Sequence, residues 1–240
     1  MVHIRALTEN IRQLRIGDEA TPLLIIDDLV SDPDWLIQAA EQGCAFEADP
    51  ANFYPGIRKP TPTLYQQALQ TALLPLLKTV FQQPQASSLQ LLLSAFSLST
   101  TAPSKLRPIQ MLPHIDATNP QQLAMVHYLC EPAQGGTAFY RHRHTGFERI
   151  TTARLAGYST ILKAEAQAAQ LHQHPQYICG DTELFHQIFA IEAKPNRAII
   201  YPGNLLHSGD IRPEKGLSAE PRQGRLTISS FLQLNESVLT

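Results

Sequence analysis

The sequence predicts a mainly β fold with flanking α-helices, a jelly roll of two facing antiparallel sheets. Three observations carry this prediction. Short apolar runs bounded by turn residues recur at 23–29, 122–130, 198–201 and 225–234, the pattern of buried strands. Residues 63–81 instead repeat Leu64, Ala68, Leu69, Ala72, Leu73, Leu76, Leu77 and Val80 at the three-four spacing of an amphipathic helix, expected to pack one face on a sheet. Finally, 240 residues of which 43% are hydrophobic can bury a core of this kind.

In chain order, a polar leader precedes the short buried strand of 23–29. Ser31, Asp32 and Pro33 supply an N-cap and a first-turn proline for a helix over 34–42. Residues 44–62 are rich in Pro, Asp, Asn and Gly and predict an irregular segment packed over the core. The helix of 63–81 ends by Pro84. Residues 87–101, leucines mixed with Ser and Thr, read as a strand, and 107–112 as the strand that delivers His114. Residues 122–130 form the next strand and 131–136 its turn, where Gly135 and Gly136 permit positive φ or close backbone approach. The return strand is 137–140.

Residues 141–192 predict an insertion with a basic, histidine-rich patch (Arg141, His142, Arg143, His144), a helical run over 157–170 and a helical or irregular piece over 182–191. Long insertions between core strands often act as lids, and this one is expected to cover the site and set substrate choice. A tight turn at 194–197, the buried strand of 198–201, a turn at 202–204 presenting His207, a polar loop at 210–223 and the strand of 225–234 complete the chain. The expected organisation is one domain over 1–240, with an N-terminal strand and buttressing helices in 1–84 and the jelly-roll core in 85–240.

Bulk properties exclude several classes. A net charge of −2 without a basic stripe argues against a nucleic-acid partner. No run approaches the ~20 apolar residues that span a bilayer, and the N-terminus lacks the apolar core of a signal peptide. Cys44, Cys130 and Cys179 are odd in number and unpaired by spacing, which points to a reducing, cytoplasmic setting. Jelly rolls carry edge strands, so a homodimer is an open expectation.

The chemistry is concentrated in Pro113-His114-Ile115-Asp116. In an extended segment, side chains at i and i+2 leave on the same face, so His114 and Asp116 can converge on one point. His207, brought opposite by the fold, would complete two imidazoles and a carboxylate on one side of an ion. That facial triad leaves coordination positions open and suits non-haem Fe(II). Arg225 and Thr227 share one face of the last strand, where a guanidinium fork and a hydroxyl can hold the far carboxylate of a 2-oxo dicarboxylic acid.

H-x-D, a later His, then R-x-T on the last core strand resembles the Fe(II)- and 2-oxoglutarate-dependent oxygenases, particularly their prolyl-4-hydroxylase-like branch and its bacterial members of uncharacterised role. Pro22-Leu23-Leu24-Ile25-Ile26-Asp27-Asp28-Leu29 is similar to that branch's opening strand. His127-Tyr128-Leu129 followed by Gly135-Gly136 is similar to its Y-Y-L…G-G segment. The resemblance implies a double-stranded β-helix, the cupin-like jelly roll. It also implies Fe(II) on His114, Asp116 and His207, with 2-oxoglutarate as cosubstrate on Arg225, Thr227 and Tyr128. The implied reaction is oxidative hydroxylation of a small molecule or a peptide or protein side chain, with no catalytic side chain beyond the metal ligands. The 210–223 loop is longer than in the shortest members, so the Arg225 role depends on that loop folding back as a hairpin.

Tyr54, Arg58, Tyr140, Arg141 and His142 are the residues expected to meet substrate. His127 points to the face opposite Tyr128 and reads as a sheet-packing histidine. His142 and His144, with His172 and His174, lack a carboxylate or cysteine at ligand spacing, and a solvated patch or an anionic-substrate contact is the favoured reading. His186 reads as a helix surface residue and Arg197 as a structural pair or cap. Two other functions fit less of the pattern: a non-catalytic jelly-roll binding module, and a cupin-like metalloenzyme that does not use 2-oxoglutarate.

Overall fold

Alternation along the long strands separates two cores, one on each face of the larger sheet. The computed structural model describes residues 3–5, 10–48 and 53–236. Its elements are β1 (Ile11–Ile16), β2 (Thr21–Ile26), α1 (Pro33–Glu41), β3 (Gly56–Pro60), α2 (Thr63–Val80), β4 (Ala86–Ser99), β5 (Gln122–Tyr128), β6 (Gly135–His142), α3 (Thr152–Ala168), β7 (Phe185–Glu192), β8 (Arg197–Pro202), β9 (His207–Ile211), α4 (Pro213–Gly216) and β10 (Leu226–Glu236). The major sheet runs β1-β2-β8-β5-β10-β4-β3 and the minor sheet β7-β6-β9, with every pair antiparallel.

On the outer face of the major sheet, Leu24, Phe96, Met125 and Ile228 pack with Leu69 and Leu73 of α2. Leu69, Leu73 and Leu77 repeat every four residues and are fully buried, each contributing about 1.5–3 kcal/mol. Helix α1 is capped as its sequence predicts: the Asp32 carboxylate accepts the Trp35 N–H at 3.1 Å and Pro33 opens the helix. On the inner face, Leu23, Ile25, Tyr128 and Tyr201 meet Phe139 and Ile191 of the minor sheet. A third cluster lies outside the minor sheet, where Ala138, Tyr140 and Phe185 sit beneath Tyr158 of α3.

Several expectations are overturned. The polar leader contains β1, paired with β2. The stretch 44–62 contains β3, an edge strand on β4; its residues 49–52 lie outside the described residues. Residues 107–112 are not a strand: Pro108–Met111 form a 3₁₀ turn, closed by the Gln110 side chain accepting the Arg107 N–H at 2.8 Å. The turn after β5 does not reverse within one sheet. It crosses to the minor sheet through Gly135 at φ 114°, where a Cβ would collide with the Asp210 carbonyl. Residues 182–191 belong largely to strand β7, which pairs with β6, so His186 stands on a strand rather than a helix. Helix α3 begins at Thr152 rather than near 157 and packs against the outer face of the minor sheet. Strands β9 and β10 lie in different sheets, so no hairpin forms between His207 and Arg225. No described helix is long and apolar enough to cross a membrane.

Candidate metal centre

His114 and His207 form an isolated antiparallel bridge, exchanging backbone N–H···O=C bonds of 2.9 and 3.0 Å. This one pair sets the two imidazoles side by side, with ring centroids 4.4 Å apart. Two residues on, the Asp116 N–H donates to the Gly203 carbonyl at 2.8 Å, which ties the H-x-D segment to the turn leading into β9. One ligand atom from each of His114, Asp116 and His207 lies within 4.8 Å of the others. His207 Nε2 stands 3.4 Å and His114 Nε2 3.9 Å from oxygens of the Asp116 carboxylate.

The protonation states suit cation binding. Burial lowers the pKa of His114 and of His207 to about 4, so both rings are neutral at neutral pH and able to ligate a cation. Although the His114 side chain is 51% exposed, it faces the cavity described below. Burial raises the Asp116 pKa, while His114 pulls it down. His207 Nδ1–H donates to the Leu205 carbonyl at 2.8 Å, which leaves Nε2 as the free lone pair. Tyr201 packs edge-on against the His207 ring at 4.8 Å.

His114, Asp116 and His207 line a cavity of about 390 Å³ between the sheets, within the range of small-molecule sites. Arg225 and Thr227 line it too. Arg225 is 4% exposed and donates through one terminal nitrogen to the Gly136 carbonyl at 2.6 Å. Its Nε and the Thr227 Oγ1 are buried without a hydrogen-bond partner among the described residues. Such groups cost about 1–3 kcal/mol each unless something fills the need. Gly136 must be glycine for this approach, since a Cβ there would meet the Ile191 carbonyl.

The remaining expected site residues divide. Tyr54 and Arg58 line the cavity, with the Arg58 guanidinium 4.2 Å above the Tyr54 ring. Tyr128 is fully buried directly opposite Thr227, yet its hydroxyl shares a 2.6 Å bond with Thr137 Oγ1, and Thr137 rather than Tyr128 reaches the cavity. Tyr140, Arg141 and His142 do not reach it. Tyr140 and His142 point to the outer face beneath α3, where His142 bonds Thr145 and Glu165. Arg141 is held by Glu148 and Asp18. The basic patch is therefore neutralised: His142 and His144 both bond the Glu165 carboxylate at 2.8 Å, and Arg143 pairs with Asp181.

His127 sits in the outer core, its Nδ1 accepting from Tyr65 OH at 3.0 Å and its Nε2 donating to Asn196 Oδ1 at 3.2 Å. Arg197 pairs with Asp27 at 2.6 Å. Two tyrosines of the cavity, Tyr177 and Tyr201, were not singled out from sequence. Tyr201 was legible in principle: it is the penultimate residue of the strand that leads to the His207 turn, on the same face as Ile199.

Residues 8–232 match the model of a family of unknown function, DUF6445. No curated protein matches the chain. Among solved structures, the chain is similar to HygX from Streptomyces hygroscopicus with nickel and 2-oxoglutarate bound, at a TM-score of 0.53 and 13% identity over 90% of this chain and 84% of that one. HygX with iron bound gives a TM-score of 0.51 at 12% identity, with the same shares covered. SnoN, a non-haem α-ketoglutarate-dependent epimerase from nogalamycin biosynthesis, gives 0.50 at 11% identity, over 91% and 79%. These likenesses show a common fold, the mainly antiparallel double-stranded β-helix with a few flanking helices.

Proposed function

The chain belongs to DUF6445, a family of unknown function, and from that premise we propose that it is an Fe(II)- and 2-oxoglutarate-dependent dioxygenase that hydroxylates a small molecule or a peptide or protein side chain. One observation carries the reading: the unsatisfied Arg225 Nε and Thr227 Oγ1 line the same cavity as the His114, Asp116 and His207 ligand set. Two imidazoles and one carboxylate fit Fe(II) with positions to spare. A guanidinium with its Nε unpaired and a hydroxyl without a partner fit a carboxylate. HygX binds 2-oxoglutarate on this fold, which supports the same assignment here.

His114, Asp116 and His207 would hold the ion on one side, and Arg225 with Thr227 would orient the cosubstrate's far carboxylate. The ion and 2-oxoglutarate together supply dioxygen activation coupled to oxidative decarboxylation. The chain's own share is placement and exclusion of water. The Leu205 carbonyl fixes the His207 tautomer, and the Gly136 carbonyl steadies Arg225. Tyr54 and Arg58 remain the side chains proposed to meet substrate, on the wall formed by β3 and the residues before it. The prolyl-4-hydroxylase-like branch rests on the order of the motifs. Three free thiols support a reducing, cytoplasmic setting.

An orphaned carboxylate clamp beside the triad favours this reading over a metal-independent binding module or a cupin that dispenses with 2-oxoglutarate. Anaerobic addition of Fe(II) and 2-oxoglutarate is expected to give a weak visible charge-transfer band. His207→Ala should lack it, with metal affinity lowered by more than the roughly 10–100-fold that loss of an outer-shell partner costs. Wild-type protein that shows no band and binds neither component refutes the proposal.

A further inference from the structure

Tyr128, the tyrosine that the motif order assigns to 2-oxoglutarate, has its hydroxyl engaged by Thr137 at 2.6 Å and is not among the residues lining the cavity. A different tyrosine stands where that hydroxyl was expected. Tyr201, the penultimate residue of β8 and opposite Ala124 of β5, lines the cavity although only 1% exposed. Its ring is fixed between two others, edge-on to His207 at 4.8 Å and to Phe139 at 4.9 Å. With the ring so held, the hydroxyl has little freedom. It has no hydrogen bond to any described residue, and Asp116, Arg225 and Thr227 line the same cavity. The Tyr201 ring therefore adjoins His207 and shares one cavity with Asp116, Arg225 and Thr227.

We propose that Tyr201, in place of Tyr128, is the tyrosine that contacts 2-oxoglutarate, its hydroxyl donating to the far carboxylate that Arg225 and Thr227 hold. This rests on the oxygenase reading and adds a third donor to the clamp. Tyr128 then acts one layer behind: it orients Thr137, and Arg225 stands 5.9 Å from its ring. The assignment explains why a tyrosine of the inner core that lines the cavity has no hydrogen-bond partner among the described residues. Buried tyrosines ordinarily find one.

The test measures anaerobic 2-oxoglutarate binding to Fe(II)-loaded protein by titrating the charge-transfer band. Tyr201→Phe keeps the ring and its packing, and should weaken 2-oxoglutarate about tenfold, the effect of losing one hydrogen bond to a charged group. Tyr128→Phe should change it by less than about twofold, since that hydroxyl is satisfied by Thr137. 2-Oxopentanoate, which lacks the far carboxylate, should bind wild type and Tyr201→Phe equally. The inference is overturned if Tyr201→Phe binds 2-oxoglutarate like wild type, if Tyr128→Phe alone loses affinity, or if both keto acids weaken together. A wild-type protein with no band at all removes the oxygenase reading itself, a different and recognisable failure. A melting temperature close to wild type for each variant separates binding from folding.

Discussion

Replacing Thr227 by valine should move stability and binding in opposite directions. The Thr227 hydroxyl is fully buried on β10 and has no hydrogen-bond partner among the described residues. Valine keeps the shape and exchanges the hydroxyl for a methyl group. An unsatisfied buried polar group costs about 1–3 kcal/mol, so the ligand-free variant should be more stable by about 1 kcal/mol, or about 2–4 °C in Tm for a chain of this size. Binding has the other sign. A hydrogen bond to a charged carboxylate contributes about 1.5–3 kcal/mol, so 2-oxoglutarate should bind roughly 10- to 150-fold more weakly. At a ligand concentration 100 times the wild-type Kd, wild type gains about 2.7 kcal/mol from the ligand, whereas a variant weakened 100-fold gains only about 0.4 kcal/mol. Melts of anaerobic, metal-loaded protein with and without 2-oxoglutarate read both quantities. A variant that is less stable without ligand, or that keeps the full ligand-induced shift, refutes the claim that this hydroxyl waits for a carboxylate.

Two further outcomes concern the frame. Gly135→Ala should destabilise by roughly 2–4 kcal/mol, seen as a lower urea midpoint, because φ of 114° and the Asp210 carbonyl leave no room for a Cβ; an unchanged midpoint would show that the crossing between sheets is not so constrained. Asp27 is held by Arg197, with Lys194 at 3.5 Å, and the Arg197 hydrogen bond keeps its pKa below the usual carboxylate range. Since the folded pKa lies below the unfolded one, this stabilisation is complete above about pH 4 and is lost as pH falls through the folded value. Asp27→Asn should therefore lower Tm at pH 7 by the equivalent of about 1–2 kcal/mol, with a gap to wild type that narrows in acid; a gap that widens in acid would reverse the assignment.

Elements that bury a continuous apolar run or a clean helical stripe were legible in the sequence. The core of β2, β5, β8 and β10 and the stripe of α2 follow directly from their residues. Strand β3 was hidden because Gly56-Ile57-Arg58-Lys59-Pro60 carries no apolar alternation. It is a strand because β4 offers it a free edge, and because Lys59 can bury its stem while its ammonium finds the Gln42 and Cys44 carbonyls. Strand β7 failed for a related reason: Phe-His-Gln-Ile-Phe-Ala-Ile-Glu fits neither period well, and pairing with β6 decides the matter. Local sequence cannot report a partner that far away.

The same limit explains which site residues could be read. His114 and Asp116 converge through local spacing, but the backbone that aims them is a single bridge to His207 and a bond to Gly203, both supplied from nearly ninety residues downstream. Along β6 the alternation puts Tyr140 and His142 together on one face, which is correct, but not which face is covered. Helix α3 takes that face, and the acids that neutralise the basic patch, Asp18, Glu148, Glu165 and Asp181, come from four separate parts of the chain. A histidine-rich patch read as open to solvent is thereby converted into the seam that fastens α3 to the minor sheet. On the opposite side, Tyr54 and Arg58 line the cavity, with the Arg58 guanidinium stacked on the Tyr54 ring.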